Sequence, residues 1–127
     1  MTIAHVALWT EQLERSREFY AHWFGGVAGA NYTNAAKGFS SYFLRFESGA
    51  ALELMQRSGI APRAGDAERL GYAHLAFATG GEAVVRDLTE RMRAAGVPVL
   101  GEPRWTGDGY YESVVADPDG NRIEITV

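Results

Sequence analysis

The sequence predicts an α+β fold built from two strand–helix–three-strand modules in tandem, and three observations carry that prediction. A histidine opens an apolar stretch twice, at His5-Val6-Ala7-Leu8 and at His74-Leu75-Ala76-Phe77. Each stretch is followed by a helical pattern of apolar residues that stops at glycine. Each half then closes on a glycine turn and a short strand with one glutamate between apolar neighbours. Gly49 leads into Leu52-Glu53-Leu54, and Gly120 leads into Ile123-Glu124-Ile125. His5 and Glu53 are 48 residues apart, His74 and Glu124 are 50 apart, and each glycine precedes its glutamate by four. A matched order at matched spacing is the mark of an internal repeat.

The elements follow in order. His5-Val6-Ala7-Leu8 is a strand. A helix is expected over 11–24, with Leu13, Phe19, Tyr20, Trp23 and Phe24 on its apolar side and Gly25-Gly26 as its stop. Thr10 is the expected cap, and Glu11 and Glu14 suit the positive end of the helix dipole. Strand-like pieces then lead to the strand around Glu53. The stretch from Gln56 to Gly71 is rich in Gly, Pro, Ala and charge and reads as a link. One domain, 1–127, is therefore expected, with module 1 at 1–57, module 2 at 70–127 and a loop at about 57–70. The second helix is expected over 82–95, with Val84, Val85, Leu88 and Met92 on one face and Gly96 behind.

Composition excludes several classes of function. A chain of 127 residues without cysteine has no disulfide framework, thiolate metal site or cysteine nucleophile. Twelve basic against sixteen acidic residues give a net charge of −4. That is the wrong sign for neutralising phosphates, so no nucleic-acid partner is expected. No segment reads as a signal peptide or as a membrane span, which predicts a cytoplasmic protein with no membrane partner.

The chemistry is expected on one face of the sheet. Strands alternate their faces, so the leucines around Glu53 and the isoleucines around Glu124 point one way and the carboxylates the other. If helices cover the apolar face of a curved sheet, Glu53 and Glu124 share its concave face, and His5 and His74 can join them. Two imidazoles and two carboxylates suit a divalent metal with positions left for water or substrate. His22, without a counterpart in the second half, reads as structural.

These residues resemble the vicinal oxygen chelate superfamily, which includes glyoxalase I, bleomycin- and fosfomycin-resistance proteins and extradiol dioxygenases. The resemblance spans nearly the whole chain. It is carried by His5-Val6-Ala7-Leu8, Arg17-Glu18-Phe19-Tyr20, the segment from Gly71 to Phe77, and Asp117-Pro118-Asp119-Gly120-Asn121-Arg122-Ile123-Glu124. It implies paired βαβββ modules forming a curved eight-stranded mixed sheet. With a carboxylate at Glu53 as well as at Glu124, the pattern is similar to that of glyoxalase I. That likeness implies one divalent ion (zinc, nickel, cobalt, manganese or iron) on His5, Glu53, His74 and Glu124. It further implies Glu124 as the catalytic base, with Glu53 second, and a homodimer whose sites lie at the interface. The expected activity is that of a lyase or isomerase working on a small carbonyl or thiol-conjugated substrate.

The positions that hold glutathione in glyoxalase I depart from the pattern. Trp9 replaces an arginine, and Trp105-Thr106-Gly107-Asp108-Gly109 replaces a lysine-glycine-glycine segment, so the resemblance leaves open whether glutathione is used. Trp9, Trp105, Tyr110 and Arg104 are the candidate substrate contacts, although a surface location is the expectation for the Arg104 charge. Tyr42 and Tyr111 are further pocket candidates, and Phe43 is assigned to the core. Two other functions fit the residues: an extradiol-type dioxygenase with iron on His5, His74 and Glu124, and a metal-free protein that binds a drug or metabolite.

Overall fold

The computed structural model describes residues 1–62, 65 and 70–127. The chain divides into two compact units, Met1–Gly65 and Asp66–Val127. The sequence-expected link at about 57–70 falls partly on residues outside the described set.

In the first unit β1 (His5–Trp9) leads into α1 (Leu13–Phe24), followed by β2 (Val27–Ala28), β3 (Tyr32–Asn34), a 3-10 turn (Ala35–Lys37), β4 (Phe39–Arg45) and β5 (Ala51–Arg57). The sheet order is β1-β5-β4-β2, with β3 also on β4. β1 runs parallel to β5, and the other pairings are antiparallel. The second unit repeats the plan with β6 (Leu75–Ala78), α2 (Glu82–Ala94), β7 (Val99–Trp105), β8 (Tyr111–Ala116) and β9 (Arg122–Thr126). Its order is β6-β9-β8-β7, again with one parallel pair, between the first and last strands.

The α+β class and the paired modules are therefore present, but the strand count differs from eight. Among the described residues the strands form hydrogen-bonded sheets of five and four. The extra strand arises because the edge strand of the first unit is broken. Its pairing with β4 slips by one residue between Ala28↔Leu44 and Tyr32↔Ser41. Such a slip is a bulge, and Gly29 keeps contact across it by donating its N–H to the Phe43 carbonyl.

Each helix covers one face of its own sheet. Leu13, Ser16 and Tyr20 of α1 are buried, together with Leu44, Leu52 and Leu54 of the strands. In the second unit Val85, Leu88, Thr89 and Met92 of α2 are buried, together with Val115, Ile123 and Ile125. Burying each large aliphatic side chain stabilises by about 1.5–3 kcal/mol. This packing turns the flanking leucines and isoleucines toward the helices, and so turns Glu53 and Glu124 away from them.

Thr10 acts differently from the expected cap. α1 begins at Leu13 after Gln12, and no side-chain cap bond is made there. The Thr10 hydroxyl instead accepts the Gln12 backbone N–H at 3.0 Å and pairs with Ser16 Oγ at 2.8 Å, closing the turn before the helix. At the other end Gly25 takes φ +71° and donates to the Ala21 carbonyl, the left-handed stop expected of glycine.

Candidate functional site: a histidine–glutamate pair in each unit

The first unit places His5 at the start of β1 and Glu53 in the middle of β5. His5 Nε2 lies 3.9 Å from Glu53 Oε2, with the carboxylate largely shielded and the imidazole nearly half exposed. The second unit repeats the pair: His74 Nε2 lies 3.2 Å from Glu124 Oε2. The registers agree as well. Glu53 is opposite Ala7 and Glu124 is opposite Ala76, so each glutamate faces the residue two positions after its histidine. The repeat seen in the sequence is thus a repeat in register. Among the described residues, no group of three or more His, Asp or Glu side chains gathers to hold a metal; each unit presents two.

Burial sets the acidity of Glu124. Desolvation is the largest influence and raises its pKa above the ordinary carboxylate value. His74 and Arg104 oppose the rise, while Glu112 and Asp108 add to it. A carboxylate so raised is a better proton acceptor than an exposed one.

Glu112 is a residue that the sequence reading missed. It lies on the β8 face opposite to Tyr111, Ser113 and Val115, which face α2, and so shares a face with Glu124. Its side chain is only 12% exposed and meets Arg104 Nη2 at 3.6 Å, directly across β7 and β8. Arg104 is accordingly exposed, as expected of its charge, yet it belongs to the Glu124 face. The signal was weak, because Glu112 sits in a strand whose alternation is visible only once Ser113 and Val115 are known to face a helix.

The aromatic candidates separate by face. Trp9 lies on the Glu53 face of the first sheet, 40% exposed, with the Arg57 guanidinium 5.3 Å from its ring centre. Phe43 is opposite Glu53 and packs edge-on against His5 at 5.2 Å. It is half exposed rather than a core residue, because the buried position on β4 is its neighbour Leu44. Trp105 is opposite Tyr111 and packs against it at 5.5 Å. Tyr111 in turn accepts from Arg86 of α2, so Trp105 lies on the helix side of β7 and not beside Glu124. Tyr110 is exposed in the turn before β8, its backbone N–H held by Thr106 Oγ1. Tyr42 also faces its helix and donates to Glu14 at 2.8 Å. That side of the first unit carries a groove of about 540 Å³, lined in part by Glu14, Asn31 and Tyr42, which shares no residue with the His5–Glu53 pair.

The glyoxalase/bleomycin resistance protein/dioxygenase superfamily model matches residues 2–125. The chain belongs to this superfamily. A Bacillus subtilis (strain 168) relative, the uncharacterized protein YqjT, is 29% identical over 126 residues, covering 95% of this chain and 94% of its own. Among solved structures, the trypanothione-dependent glyoxalase I of Leishmania major matches with a TM-score of 0.78 and 25% identity, over 99% of this chain and 86% of its own. A possible glyoxalase from Bacillus cereus matches with a TM-score of 0.72 and 25% identity, over 100% of this chain and 99% of its own. Glyoxalase-superfamily membership therefore agrees with the architecture and with the resemblance drawn from His5, Glu53, His74 and Glu124. No helix among the described residues is long and apolar enough to cross a membrane.

Proposed function

We propose that this superfamily member is a divalent-metal-dependent lyase or isomerase that moves a proton between adjacent carbons of a small carbonyl or thiol-conjugated substrate. The observation that carries the reading is the His–Glu pair repeated in identical register in both units. The donor set fits the group: in each pair an imidazole nitrogen and a carboxylate oxygen lie within 4 Å of each other on the sheet face away from the helix. His5, Glu53, His74 and Glu124 would hold the ion. In a homodimer with interface sites, His5 and Glu53 act with the partner's His74 and the partner's Glu124. Zinc, nickel, cobalt, manganese and iron all suit such ligands.

When bound, a divalent ion polarises a carbonyl oxygen and stabilises the negative charge that builds there. Glu124 takes the proton from the adjacent carbon and returns it to the neighbouring one. Glu53 is the second candidate for this base. Arg104, held by Glu112, supplies positive charge on the Glu124 face where a substrate can bind. Trp9 contributes the apolar contact on the Glu53 face.

The test is elemental analysis of the purified chain followed by turnover of hemithioacetals and related carbonyl substrates. About one transition metal per chain, lost in Glu53→Ala and in His74→Ala, is the expected result, with turnover abolished in Glu124→Gln. Iron retained without Glu53, with oxygen uptake on catechols, would replace this reading by the dioxygenase. No metal after soaking with zinc, nickel and cobalt salts would replace it by the metal-free binding protein.

A further inference from the structure

The face of the first sheet that carries His5 and Glu53 continues into a second, chemically different cluster. Trp9 lies two residues beyond Ala7, the partner of Glu53, so it stands about 7 Å along the strand from the carboxylate position. Phe39 meets the Trp9 ring edge-on, with centroids 6.2 Å apart and planes at 90°. Tyr32, more than half exposed, extends the aromatic surface from Phe39 at 6.1 Å. Arg57, opposite Phe39 on β5, lays its guanidinium over the Trp9 ring at 5.3 Å.

A guanidinium stacked on an indole is held in orientation by the ring while its N–H edge stays open to a planar anion. Among the described residues, no carboxylate lies within ion-pair distance of Arg57, whereas Arg17, Arg86, Arg93 and Arg104 all have one. Exposed aromatic surface next to an oriented cation favours a ligand with a flat apolar body and one carboxylate. The ring stacks on the aromatic side chains, and the carboxylate takes paired hydrogen bonds from the guanidinium.

We propose that Trp9, Tyr32, Phe39 and Arg57 form an aryl-carboxylate subsite, so that the substrate is an aromatic acid whose reacting end lies toward Glu53. This rests on the reading of the His5–Glu53 face as the substrate face. It names the substrate class that the glutathione-site departures leave open: Trp9 supplies stacking surface where a peptide-binding charge was expected.

The test is calorimetric titration of the full-length, EDTA-treated chain with trans-cinnamate, cinnamamide and hexanoate. Cinnamate is expected to bind more tightly than either control. Arg57→Gln should weaken cinnamate at least fivefold and leave cinnamamide unchanged, and Arg57→Lys should weaken it less than Arg57→Gln does. Trp9→Leu should weaken cinnamate and cinnamamide alike. The subsite is overturned if cinnamate does not bind, if hexanoate or cinnamamide binds as tightly, or if Arg57→Gln costs less than fivefold. Metal content measured on the same preparations separates the two readings. A chain that takes up no metal but binds cinnamate through Arg57 retains the subsite and loses the metal site. A chain that loads metal on His5, Glu53, His74 and Glu124 but ignores cinnamate loses only the subsite.

Discussion

Replacing Asp117 by alanine tests how the Asp-Pro-Asp-Gly turn holds the strand that bears Glu124. The carboxylate is buried and accepts at least three hydrogen bonds. Its Oδ1 takes the backbone N–H of Asn121 at 2.8 Å and of Asp119 at 3.0 Å, and its Oδ2 takes the Asn121 side-chain amide at 2.9 Å. Alanine removes the acceptor and leaves those donors in a partly buried turn. Each unsatisfied donor costs about 1–3 kcal/mol, and the three share one acceptor, so the loss should total about 3 kcal/mol rather than their sum. For a chain of this length that corresponds to a fall of roughly 10 °C in Tm. Asp117→Asn keeps one carbonyl acceptor for the backbone donors and should cost about 1 kcal/mol. Urea unfolding followed by circular dichroism measures both, with an unchanged slope against denaturant marking a pure stability effect. If Asp117→Ala costs less than about 1 kcal/mol, or no more than Asp117→Asn, the turn does not depend on this carboxylate and the reasoning fails.

Three further outcomes are expected. Because burial raises the Glu124 pKa, the folded chain binds more protons than the unfolded chain as pH rises from about 4.5, so this residue erodes stability as pH climbs through its folded pKa. Metal-free Glu124→Gln should therefore be more stable than the parent at pH 7 and equal to it near pH 4, as read from thermal unfolding in EDTA; a less stable variant at pH 7 would refute the desolvation argument. Gly26→Ala would place a Cβ 2.9 Å from Leu44 Cδ2 and 3.2 Å from the Tyr20 carbonyl oxygen, against buried partners, and should cost about 1–3 kcal/mol by chemical denaturation. The buried hydroxyls of Thr89 and Ser113 pair at 2.6 Å between α2 and β8, so Thr89→Val and Ser113→Ala should each destabilise by about 1–2 kcal/mol while the double variant loses less than their sum. Strict additivity in that cycle would mean that the pair does not interact.

Much of the fold was legible because its cues are local. The helix stops at Gly25 and Gly96, the turns at Gly49 and Gly120, and the alternation around Glu53 and Glu124 each depend on a few neighbouring residues. The bulge that splits β2 from β3 was not legible, since it depends on how Gly29 meets the Phe43 carbonyl in another strand. The His5, Glu53, His74 and Glu124 candidates could be named because a repeated spacing marks them without reference to packing. Phe43 and Glu112 could not, because an aromatic or acidic residue in a strand takes its meaning from the face it occupies.

By itself, then, the sequence determined two modules and their order, and marked four side chains as metal-ligand candidates, because periodicity and glycine placement act along the chain. Only the tertiary structure decided which face each strand turns to its helix. That choice sends Trp105 and Tyr111 to α2 and brings Phe43 beside His5. It also lays Arg57 over Trp9 and sets Glu112 with Arg104 on the face of Glu124. The physical reason is that a strand's pattern fixes two faces but not which one is covered; burial of Leu52, Leu54, Ile123 and Ile125 against the helices settles it, and the charge and aromatic surface of the site follow.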